Sequence, residues 1–74
     1  MYQLILCEKA TGIVLELDGK TRYHAGENNK RPSFSFDNLL EAENKAYDLI
    51  NVNSDLEIAI YDCNWEYIKT IIKE

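Results

Sequence analysis

Cysteine, glycine, proline and histidine are all scarce in this chain of 74 residues, which holds two cysteines, three glycines, one proline and one histidine. Two thiols are too few for the disulfide framework that stabilises small secreted domains, and Cys7 and Cys63 are too far apart for metal-ligand spacing. Their presence fits a reducing, cytoplasmic setting. No sequence spacing ties His24 to Cys7, Cys63 or a serine, so no nucleophile–base arrangement is evident and neither catalysis nor a cofactor is expected. One histidine and two distant cysteines also fall short of a zinc set. Asn51, Asn53, Asp55 and Asp62 have a faint calcium-loop spacing, but Leu56 stands where the turn needs glycine.

Long hydrophobic runs are missing as well. The stretch Leu4 to Cys7 is far too short for the core of a signal sequence or for a membrane span. A cationic surplus is also absent: the formal charge is −5, which argues against non-specific attachment to nucleic acid or to an anionic bilayer.

What is present is alternation. Tyr2 to Glu8 places Leu4 and Leu6 on one side and Ile5 and Cys7 on the other, and Gly12 then interrupts it. Ile13 to Asp18 reads as a second strand, with Ile13, Leu15 and Leu17 opposed to Val14, Glu16 and Asp18. Asp18-Gly19 is a strong hairpin dipeptide that gives Lys20 to His24 the option of a short return strand. Residues 19–35 otherwise lack periodicity and hold Gly26, Asn28, Asn29 and Pro32, so they are expected to form a long loop.

Ser35 suits a helix N-cap, Asp37 the first turn, and Phe34 a hydrophobic staple on Leu39, giving a helix from about Phe36 to Val52. At 100° per residue, Leu39, Ala46 and Ile50 share a line. Ala42 and Leu49 flank it on one side and Leu40 and Tyr47 on the other, with Glu43 as an odd carboxylate on the apolar side. Leu56 to Asp62 and Trp65 to Lys73 alternate again around a turn at Asp62-Cys63-Asn64.

These segments predict a single small domain over residues 1–74 of the α+β class: ββαββ, a four-stranded antiparallel sheet in the order 2-1-3-4, with one helix packed on one face. Such a sheet is about 19 Å wide and a helix about 10–12 Å across, so a single helix covers little more than half of one face. Alternation assigns Ile68 and Ile72 to the helix side. It leaves Ile5, Cys7, Val14, Ala59, Tyr61, Tyr67 and Ile71 on the other, an apolar set that calls for a cover.

Three occupants compete for that face: a second copy of the chain, a different protein anchored by Tyr61, Trp65 and Tyr67, or the chain's own long loop with Tyr23 and Phe34. The expectation is a protein-interaction or structural module that homodimerises through Ile5, Cys7, Val14, Ala59, Tyr61, Trp65, Tyr67 and Ile71. The alternative places a small anion or acidic peptide on Arg22, Tyr23, His24, Lys30 and Arg31, since residues 19–35 carry +3 and leave −8 on the rest.

Overall fold

The alternating and helical periods resolve, in a computed structural model that describes residues 1–24 and 32–73, into β1 (Tyr2–Glu8), β2 (Phe34–Phe36), α1 (Leu39–Val52), β3 (Leu56–Tyr61) and β4 (Tyr67–Ile72). The sheet order is β2-β1-β3-β4 with every neighbouring pair antiparallel, and α1 lies on one face. This is the expected ββαββ arrangement in the expected order.

The core is built from rows that the pairing fixes. Leu4 opposes Ile60 and Leu6 opposes Ile58, and all four side chains are fully buried. Ile71 opposes Ile58 on the far side and completes the second row. On α1 the buried positions are Ala42, Ala46 and Ile50, a four-residue spacing that keeps one line toward the sheet. The two alanines let the helix axis approach the strands closely, while Leu39 and Leu49 close the flanks. Leu40 and Tyr47, expected to extend that stripe, are exposed instead.

The second strand is Phe34–Phe36, and Ile13 to Asp18 does not form one. Residues 13–15 do reach β1: the Glu8 amide donates to Ile13 O at 2.8 Å and the Leu15 amide to Leu6 O at 2.7 Å. Only isolated bridges result, Cys7 with Val14 and Leu15 with Arg22. Continuing that register would set Leu17 opposite Leu4, and Phe34 holds that place. Phe34 and Phe36 are half-buried and pack on the core beside Tyr2, whereas Leu17 is 40% exposed. The outer edge of β1 is therefore shared between two segments. Ile13 and Leu17, assigned by alternation to the helix side, are left exposed.

The Asp18-Gly19 turn does send the chain back, with the Glu16 amide donating to Thr21 O and the Tyr23 amide to Val14 O. Asp18 fixes it by accepting from the Thr21 amide, the Lys20 amide and the Thr21 hydroxyl, contacts that in that order hold its carboxyl below the usual range. Gly19 has φ +71°, a left-handed conformation that side chains disfavour. The expected loop over 19–35 is thus structured at both ends, and residues 25–31 lie outside the described residues.

The helix starts later than Ser35. Asn38, in extended backbone, is the N-cap, and its Oδ1 accepts from the Glu41 amide at 2.9 Å. Ser35 sits in β2, where its hydroxyl donates to Gln3 Oε1 at 2.6 Å. We predict that Asn38→Ala lowers stability by about 1 kcal/mol, the usual loss for an N-cap, while Ser35→Ala leaves helicity unchanged. Thermal melts followed by far-ultraviolet circular dichroism check both.

Candidate functional site: the sheet face opposite the helix

On the face away from α1 the pairing sets out three rows: Gln3–Tyr61–Tyr67, Ile5–Ala59–Thr70 and Cys7–Glu57–Ile72. Val14 extends the last row beside Cys7, and Ser35 the first beside Gln3. Ile71 is not on this face. A register shift between Ile60 and Tyr61 marks a β-bulge, in which Tyr67 and Ile68 together oppose Tyr61. The extra residue inverts the facing of everything beyond it, so Ile71 joins the core at 5% exposure and Ile72 turns outward at 43%.

Exposure on this face is uneven. Ile5 is buried, at 1%, and Cys7, Val14, Ala59 and Tyr61 are half-buried within a single chain. The accessible apolar surface gathers on the β4 side, where Trp65 is 48% and Tyr67 60% exposed. Their rings form one cluster: Tyr61 lies 5.7 Å from Trp65 in a tilted contact and 6.0 Å from Tyr67 edge-on. Tyr67 is further held by a 2.7 Å hydrogen bond between its hydroxyl and that of Thr70.

Trp65 sits in a strained backbone. The β3–β4 connection is a three-residue hairpin loop: the Asp62 amide donates to Glu66 O and the Trp65 amide to Asp62 O, both at 3.0 Å. Asp62 Oδ1 accepts from the amides of Asn64 and Glu66 as well. The third loop position in this geometry is left-handed and normally glycine, yet here it is Trp65 with φ 62°. A side chain in that region costs roughly 1–2 kcal/mol. The absence of glycine between Asp62 and Glu66 was the only hint of this in the sequence.

The basic segment is placed in part. Arg22 meets Glu8 through two contacts, Nε to Oε2 and a terminal nitrogen to Oε1, each 3.1 Å. Tyr23 is half-buried against Val14 and His24 is exposed, whereas Lys30 and Arg31 fall outside the described residues. The Arg22 guanidinium and then the Thr11 hydroxyl hold the Glu8 carboxyl below its usual range. Sequence reasoning missed this pair, although the Asp18-Gly19 hairpin was its signal, because it carries Arg22 back beside Leu15, in the segment that runs along β1. Glu43, the odd carboxylate of the helix, meets Lys69 of β4 at 2.8 Å and raises the Lys69 pKa.

On the helix side a cleft of about 850 Å³ opens between the end of β1 and the end of α1, floored by Leu15, Gly19 and Leu56. Its rim carries Glu8 and Asp55 but also Lys9 and Lys20, so it favours no single ligand charge. Among the described residues, no cluster of three or more His, Cys, Asp or Glu side chains is placed to hold a metal ion, and no helix is long and apolar enough to cross a membrane. Compared with known proteins, the chain matches no family model, no curated protein and no solved structure.

Because the Glu8 pKa is lowered, the pair's contribution to the folded state is present above the ordinary carboxylate range and is lost as pH falls through the lowered value. Arg22→Ala is expected to raise the Glu8 pKa toward the ordinary glutamate value, read by NMR titration of its carboxyl carbon.

Proposed function

We propose that this protein acts by association rather than by chemistry of its own, with a second copy of the chain as its partner. The docking surface is the β4 side of the sheet face opposite the helix, formed by Tyr61, Trp65, Tyr67 and Ile72. One observation carries the reading: Trp65 occupies a left-handed position that glycine normally fills, at a hairpin tip where its indole stays about half exposed. Strain retained in an exposed aromatic residue is characteristic of binding positions, where affinity offsets the local cost. The exposed rings and Ile72 extend the patch along β4.

A reducing, cytoplasmic setting suits the exposed thiol of Cys63.

Light scattering over a dilution series tests the reading. Wild type should pass from dimer to monomer with little dependence on salt, because the contact is apolar. Tyr67→Asp should be monomeric throughout. Trp65→Gly should leave stability within about 1 kcal/mol of wild type, since relief of backbone strain offsets the lost ring contact, yet weaken dimerisation at least tenfold. A wild type that stays monomeric at the highest concentrations overturns the proposal, as does a Trp65→Gly chain that dimerises normally.

A further inference from the structure

Independently of self-association, we infer that Ile13 to Tyr23 form a strap over one end of the core, which lifts as a unit from an otherwise intact sheet and is latched by the contact of Arg22 with Glu8. Closed, the strap occupies the β1 edge beyond β2 and rests on Leu6 and Leu56.

The strap is joined to itself more firmly than to the sheet. Among the described residues, three backbone hydrogen bonds run within it: the Glu16 amide donates to Thr21 O at 2.7 Å, the Tyr23 amide to Val14 O at 2.9 Å and the Gly19 amide to Glu16 O at 3.0 Å. The Asp18 carboxylate closes its tip with three more contacts. Two backbone hydrogen bonds join it to β1, those between Glu8 and Ile13 and between Leu15 and Leu6.

Its packing is equally thin. Of its aliphatic side chains only Leu15 is buried, at 3%, while Val14 is half-buried and Ile13 and Leu17 are exposed. Gly19 rests on the core without a side chain of its own: a Cβ there would lie 3.6 Å from Leu56 Cδ1 and 3.8 Å from Leu6 Cδ2. Beyond it, the cleft of about 850 Å³ separates the strap from Asn53 and Asp55, so the end of α1 does not brace it. Segments with few buried apolar contacts open at a lower free energy than the core they cover.

One carboxylate holds both arms. Besides its two contacts with Arg22 on the return arm, Glu8 accepts from the Thr11 hydroxyl at 2.8 Å, and Thr11 Oγ1 in turn accepts from the Ile13 amide at 3.2 Å. Gly12 lies between them with φ +74° and no atom within 4 Å of where a Cβ would stand, which leaves the entry to the strap free to swing. The latch is exposed to solvent and correspondingly weak. Opening frees the Glu8 amide and Leu6 O from their partners and uncovers Leu6 and Leu56. The strap is therefore the guard of this stretch of the β1 edge.

Native-state amide hydrogen exchange on the full chain tests the device. The amides of Leu15, Glu16 and Tyr23 should share one opening constant with little dependence on denaturant, and exchange at least about tenfold faster than the amides paired between β1 and β3. Arg22→Ala and Glu8→Gln should each speed those three amides a further twofold to fivefold, roughly the range for exposed ion pairs, and leave the β1–β3 amides unchanged. Three different opening constants overturn the strap as a unit, as does exchange that merges with global unfolding. Strap amides that ignore both substitutions overturn the latch.

Discussion

The pairing of β1 with β3 is the constraint to which every other element answers. Gln3 to Glu8 run antiparallel to Leu56 to Tyr61 in one unbroken register, and Leu4, Leu6, Leu56, Ile58 and Ile60, the apolar side chains of that ladder facing α1, are buried. A helix contributing only alanine and isoleucine to its buried stripe can settle close on those two strands, but it is too narrow to cover what lies beyond them. The outer edge of β3 takes β4. The outer edge of β1 is long enough for two short partners, and it takes residues 13–15 near its end and β2 near its start.

Much of this was legible in the amino acids. The alternation of Leu4 and Leu6 with Ile5, and of Leu56, Ile58 and Ile60 with Ala59, marks the two central strands because both must be buried on one face. The spacing of Ala42, Ala46 and Ile50 marks the helix, and the sheet order follows once edge and centre are told apart. The second strand was not legible, because Ile13 to Leu17 alternates as well as Phe34 to Phe36 does over a longer span. Competition for one stretch of β1 decided between them, and pattern alone does not weigh a phenylalanine against a leucine at the same position.

The membership of the sheet face opposite α1 was legible in outline and displaced in detail. A single extra residue at the β4 bulge exchanges the facing of Ile71 and Ile72, and a two-residue period carries no record of such an insertion. Ile5, chosen for its facing, is covered within the single chain, so the accessible surface moved toward Tyr67 and Trp65. The ion pairs were hidden for a related reason. Glu8 with Arg22 and Glu43 with Lys69 join residues whose nearness depends on the hairpin and on the helix crossing.

The β3–β4 hairpin carries the only tryptophan of the chain, half exposed at its tip, whereas Ile58 at the centre of the sheet is fully buried. Its indole emission is therefore an optical reporter of that corner. A change in its colour speaks of what touches the hairpin, while loss of the interior is better followed through the backbone. The molecule thus carries its own label, fixed at that corner of its surface.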